Sequence, residues 1–150
     1  MMIKDRFTAG FISGVIAGLV MSVLDLLSYV LFTAKLVYIQ WASMFIFGER
    51  FEGMAEAIVA QIGQLLFTGA LGIIFVYLIK WSGSRHIYFK GVVFALIVWF
   101  TTYAIIVLFD IKELIPVRIE TVLSNIVTVI IYGAVLALAF KKIYADNHSE

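Results

Sequence analysis

The chain has 150 residues, 63% of them apolar, with 11 Lys and Arg, 10 Asp and Glu, and no cysteine. That apolar share exceeds the roughly 45–50% of a soluble domain, and a small domain buries only about two-thirds of the surface its chain exposes, so a water-soluble fold is excluded. Disulfides, thiolate metal sites and thiol chemistry are excluded by composition, and basic residues scattered at segment ends leave no nucleic-acid footprint. With a mean hydropathy of +1.07, residues 1–150 are expected to form one all-α, polytopic membrane domain, its outward faces solvated by the lipid bilayer.

A spanning helix needs about 20 mostly apolar residues, and four stretches supply them. The first, Phe7–Phe32, carries one carboxylate, Asp25. Its apolar run is far longer than the roughly 7–15 residues of a secretory signal, and no small-x-small cleavage site follows, so it reads as a retained anchor. Leu36–Gly53 comes next, with Tyr38, Trp41, Phe45, Phe47 and Phe51. Too short to span and rich in aromatics, it predicts an interfacial helix on the outer side. That helix reads as an aromatic-belt anchor, or as a docking surface or lid over the bundle. Glu49, Glu52 and Glu56 read as a solvated charged face. The second span is Ala57–Ile79, followed by a loop over Trp81–Phe89 and a third span, Gly91–Phe109. Pro116 in the next loop limits how early the fourth span, Val122–Phe140, can begin. None of the last three spans contains a charge.

The flanks set direction. Lys4, Arg6, Lys80, Arg85, Lys90, Lys141 and Lys142 fall on one side; Lys35, Arg50, Lys112 and Arg118 fall on the other. The more basic side is cytoplasmic by the positive-inside rule, which places both termini inside. The sequon at Asn147-His148-Ser149 then lies in a cytoplasmic tail and carries no weight.

The two halves of the chain are alike. A displacement of 77 positions lays Gly14 on Gly91, Gly18 on Ala95 and Asp25 on Thr102. A displacement of 64 lays Gln61 on Asn125, Gln64 on Thr128, Thr68 on Tyr132 and Gly69-Ala70 on Gly133-Ala134. This pattern reads as two parallel copies of one helical hairpin. The difference of 13 residues falls in the aromatic segment after the first span.

Direction and depth gather the polar residues of the spans. Gly10, Gly14, Gly18 and Ser22 make one small-residue stripe within about 120° at 100° per residue, suited to close helix packing. Asp25 falls inside that arc and points at a neighbouring helix. Gln61 and Gln64 on the second helix, Thr102 on the third, and Asn125 and Thr128 on the fourth lie at a similar depth, roughly 5–12 Å below the outer surface. They form a candidate polar site around Asp25, with Arg50, Lys35 or Arg118 available to reach its carboxylate. A charge there costs about 2.5–3.5 kcal/mol on insertion scales, which makes it a functional candidate. Side chains of this kind also hydrogen-bond across membrane helices simply to satisfy one another, at about 0.6 kcal/mol per pair.

His86 and His148 are the only histidines, so no catalytic set, metal centre or cofactor cradle can be assembled, and no enzyme is expected. Phe89-Lys90-Gly91 entering a Trp99-bearing span, a short polar loop, and Asn125 through Tyr132-Gly133 together resemble the YqhR-type small membrane proteins of spore-forming bacteria. The resemblance covers about the last 65 residues; it implies a bacterial cytoplasmic (inner) membrane and transfers no active residue. Two functions remain open. One is a non-enzymatic membrane component acting by helix packing, as a homo-oligomer or with a membrane protein partner. The other is a small transporter or channel subunit that binds a proton, ion or small polar solute around Asp25.

Overall fold

A computed structural model describes residue 3 and residues 5–31, 38–109 and 118–145. Among these the chain forms five helices and no strand: α1 (Arg6–Val30), α2 (Tyr38–Phe47), α3 (Met54–Ser82), α4 (Ile87–Leu108) and α5 (Ile119–Ala145). All but α2 are long and apolar enough to cross a membrane. The four-span membrane bundle is therefore as expected, and α2 occupies the aromatic segment. Phe32, Lys35, Pro116 and the Asn147-His148-Ser149 sequon lie outside the described residues.

The spans run past their apolar cores because their ends are capped. At the start of α3, Oε2 of Glu56 accepts from the backbone N–H groups of Glu52 at 2.8 Å and Gly53 at 3.4 Å. Helix starts leave such amides open, so Glu56 caps α3 from the solvated acidic face it shares with Glu49 and Glu52, all three exposed. At the far end, Gly83 sits at φ 77°, a conformation glycine reaches without steric penalty, and α3 stops there. The Lys90 ammonium donates to the carbonyls of Ser82 at 2.7 Å and Gly83 at 2.8 Å, placing a cation at the negative end of the helix. The connection expected over Trp81–Phe89 shrinks to residues 83–86 as a result.

Asp5 caps α1 in the same way. Its Oδ2 accepts from the Thr8 hydroxyl at 2.6 Å and the Thr8 backbone N–H at 2.7 Å. The hydroxyl first, and the amide second, hold this carboxyl below its ordinary value of 3.8. A depressed value means that the cap is complete above pH 3.8 and is lost as pH falls through the lowered value. Hydrogen exchange at the Thr8 amide, corrected for intrinsic rate, should therefore accelerate on acidification. Asp5→Ala should show the fast rate throughout; wild-type protection in that variant would remove the cap.

α1 packs against α3 on one side and α5 on the other, and α5 packs in turn against α4. Glycine makes the two hairpin contacts possible. A Cβ on Gly14 would strike the Thr68 carbonyl oxygen and lie 2.9 Å from Gly69 Cα. A Cβ on Gly91 would strike the Gly133 carbonyl oxygen and lie 3.1 Å from Ala137 Cβ. Backbones in lipid attract by such close packing, so the Gly10–Gly14–Gly18 stripe is engaged within the chain, against α3. At the basic end, Arg6 donates to the Val76 carbonyl and the Tyr144 hydroxyl, both at 3.3 Å, which ties α1 to α3 and α5.

The fourth seam differs. α3 and α4 barely meet; their principal ring contact is Phe75 with Phe94, centroids 5.6 Å apart. The ring of four helices is thus closed along three seams and open along one. Outward-facing Leu26, Val30, Phe100 and Val107 are exposed, as hydrocarbon-solvated side chains are.

Candidate functional site

Asp25 lies inside the bundle at 3% exposure, as its helical phase requires. Its Oδ2 accepts from the backbone N–H of Tyr38, the first residue of α2, at 2.8 Å. Opening amides of a helix are free donors at the positive end of its dipole, so the carboxylate fastens the start of α2 to α1. Among the described residues its hydrogen-bond partner is this amide, and Lys35, one of the cations expected to reach it, lies outside them. The second oxygen, Oδ1, is buried without a hydrogen bond.

The expected single polar layer divides into separate groups. Ser22 gathers the first: its hydroxyl donates to the Gly18 carbonyl at 3.0 Å and accepts from Gln61 Nε2 at 3.0 Å and Gln64 Nε2 at 3.3 Å. Asp25, Gln61 and Gln64 share a recess of about 310 Å³ on the α1–α3 flank. Asn125 belongs to the other hairpin, where its Nδ2 donates to the Tyr103 hydroxyl at 3.0 Å. Thr102 and Thr128 turn onto their own helices, donating to the carbonyls of Val98 at 2.9 Å and Ser124 at 3.0 Å. A threonine hydroxyl reaches the carbonyl one turn back more easily than a partner helix. Spacing puts these residues at one depth; it does not say that Thr102 and Thr128 close onto their own helices.

The larger opening lies beneath α2. A cavity of about 450 Å³ occupies the α3–α4 gap, with α2 above it and Tyr132 on its α5 wall. Among the described residues no Lys, Arg, His, Asp or Glu lines it. Phe45, Ile46, Phe67 and Ile105 line the cavity and are also exposed on the flank of the bundle. They mark its rim, and the mouth faces sideways, toward where acyl chains lie.

α2 is held down as a lid. Trp41, at 3% exposure, packs with Met44 against Ile106 and Tyr103 of α4. The Trp41 and Tyr103 rings are 5.1 Å apart, and Trp99 stands 4.9 Å from Tyr103. The aromatic segment therefore splits: Trp41 turns inward, while Phe45 and Phe47 remain exposed. Of the readings open for this segment, the lid fits Trp41 and the belt fits the two phenylalanines. Sequence spacing alone does not single out Tyr38, Trp41 and Tyr103 as site residues. The available signal was Trp99 and Tyr103 one helical turn apart, which brings two rings onto one face.

Two further contacts define the floor. Tyr132 donates from its hydroxyl to the Thr68 carbonyl at 3.2 Å, linking α5 to α3 across the base of the cavity. Because that carbonyl belongs to a helical ladder, Tyr132→Phe should cost only about 0.6 kcal/mol, read as a small drop in the unfolding midpoint in detergent. A loss above about 2 kcal/mol would exceed what one such bond carries in a membrane and would mean that the hydroxyl has further partners. Among the described residues no group of three His, Asp or Glu side chains stands close enough to hold a metal ion. Comparison of the chain with protein-family models, curated proteins and solved structures gives no match.

Proposed function

We propose that the chain is a non-enzymatic component of a bacterial cytoplasmic membrane that takes an apolar molecule from the bilayer into the cavity beneath α2. The observation that carries this reading is the cavity itself: about 450 Å³, lined by no charged side chain among the described residues, and opening sideways between α3 and α4. Its volume falls within the roughly 300–1,000 Å³ of small-molecule sites. Most of its lining is aliphatic or aromatic, so a hydrocarbon chain is at home there.

Native mass spectrometry of protein released in mild detergent tests the proposal. A bound lipid should survive on the wild type and be lost from Val98→Trp, which fills the chamber, while the unfolding midpoint is kept. Equal lipid retention by both proteins would end the reading. The same spectra report stoichiometry, and so whether the protein works alone, as a homo-oligomer or with a membrane protein partner. The glycine stripe and Trp41, which suggested a packing surface for a partner, are both engaged internally.

Placement of both termini in the cytoplasm rests on the basic residues at one end of the bundle, Arg6, Lys80, Arg85, Lys90, Lys141 and Lys142. In this cysteine-free chain, Ser84→Cys should be shielded from an impermeant thiol reagent in intact cells, and Glu113→Cys should react. Duplication of the hairpin is supported by the two glycine contacts: Gly14 against Gly69 and Gly91 against Gly133 are the pairs that the two displacements superpose. Kinship with YqhR-type proteins belongs with these proposals and rests on the second-half motifs alone.

One observation favours a second reading. Asp25 Oδ1, in the smaller recess, and Oε1 of Gln64, a residue that lines both openings, are buried without partners, as a site for a proton, cation or small polar solute requires. In proteoliposomes such a transporter or channel subunit should give a flux that Asp25→Asn abolishes. Equal flux from both proteins would exclude the carboxylate as the site.

A further inference from the structure

We infer that the cavity selects an uncharged lipid whose head group carries a carbonyl oxygen, received by two donors on the underside of α2. This rests on the reading of the cavity as a site for an apolar molecule and adds what that molecule must present.

Tyr38 and Trp41 both line the cavity from the lid, their ring centroids 6.0 Å apart. The Tyr38 hydroxyl and the Trp41 indole N–H are buried, and neither has a hydrogen-bond partner. Trp41 is 97% buried by its 3% exposure, so bulk water does not satisfy its N–H. Buried polar groups are nearly always paired, and each exception calls for an explanation. Two orphan donors on one face of one lid, with the Trp99 indole N–H a third on the α4 wall of the same chamber, share one explanation: an acceptor that arrives with the ligand.

The chemistry of that acceptor is constrained. With no Lys, Arg or His among the described residues of the wall, a phosphate or carboxylate head would enter without a counter-charge, at the steep cost of burying an unpaired ion. A carbonyl oxygen has two lone pairs and no charge, and it can accept from a phenol and an indole together. Gln64 Oε1, a buried acceptor also without a partner on the cavity wall, accommodates a hydroxyl or polarised C–H on the same head. An ester of a neutral glycerolipid and the ring of a long-chain quinone both supply this carbonyl.

Tryptophan fluorescence provides the test. Of the three tryptophans, Trp41 and Trp99 line the cavity and Trp81 is 89% exposed, so Trp81→Phe leaves an emission that reports the chamber. This protein, full length in mild detergent, is titrated with one brominated hydrocarbon chain in three forms: bare, ended in a methyl ester, and ended in a quinone ring. At about threefold per hydrogen bond in a membrane, two donors should make a carbonyl-bearing chain quench at about eightfold lower concentration than the bare chain. Whichever carbonyl head binds tighter identifies the source, glycerolipid or quinone. Adding Tyr38→Phe, which keeps the ring and the backbone N–H held by Asp25, should reduce the preference to about threefold. Equal quenching by all three chains overturns this inference and leaves the apolar site standing. Absence of quenching by any of them overturns both.

Discussion

Gly14→Leu is expected to leave little folded protein in the membrane. The reason is geometric. A Cβ at this position strikes the Thr68 carbonyl oxygen and stands 2.9 Å from Gly69 Cα, so the obstacle is backbone and no rotamer change relieves it. Overpacking a core commonly costs about 1–3 kcal/mol, occasionally more; here α1 and α3 must separate along their whole glycine seam, and about 3 kcal/mol or more is expected. That is a factor above about 100 in the folded population. Gly91→Leu should do the same to the α4–α5 seam, where the Gly133 carbonyl blocks the new atom. Gly63→Ala is the control. Its Cβ meets only Ile46 Cδ1 at 2.7 Å, the far end of a flexible side chain, and the protein should stay folded. Unfolding midpoints in detergent, measured against denaturant, rank the three. A wild-type midpoint for Gly14→Leu would mean that α1 and α3 do not meet in this register.

Much of this architecture could be read before any coordinates, and the reasons are specific. Apolar runs of about 20 residues fix the spans, and the phase of Asp25 relative to Gly14 and Gly18 fixes its inward direction. Helix ends were less legible because side chains set them: Glu56 and Lys90 extend the helices beyond their apolar limits by capping open backbone groups. The polar layer was legible as composition and depth, but not as connectivity. Thr102 and Thr128 had partners available one turn away on their own helices, and a pattern of spacings cannot show that the nearer choice prevails. The cavity was least legible of all. It exists because α3 and α4 fail to meet, and a missing contact has no sequence signature of its own.

The open seam has a cause within the repeat reading. Were the two hairpins equivalent, the α1–α5 and α4–α3 seams would be related by the pseudo-twofold axis and would pack alike. One is closed and the other is open. The 13 residues by which the first hairpin exceeds the second lie where α2 forms, and α2 packs on α3 and reaches Ile106 and Tyr103 of α4. On the proposed duplication, those 13 residues stand where a helix–helix interface would otherwise close, and α2 covers the gap instead.

If α2 is a lid and not a fifth structural helix, Trp41→Ala should release it while the four spans hold. Trp41 is the side chain that anchors it, at 3% exposure against Met44, Ile106 and Tyr103. Truncating a buried tryptophan to alanine costs about 3–5 kcal/mol, and a helix of 10 residues is too short to persist without packing. The spans meet each other through contacts in which Trp41 has no part, so the loss should be confined to α2, as in local unfolding. Hydrogen exchange should show protection lost over residues 38–47 and retained in α1, α3, α4 and α5. Phe45→Ala, at a residue 61% exposed, should leave every helix protected. With the lid released, a molecule in the chamber is held only by its apolar walls, so its dissociation rate should rise while the chamber itself survives. Uniform loss of protection across all five helices would instead make α2 part of the core, and an α3–α4 gap that only α2 keeps from collapsing would then be a packing defect rather than a site.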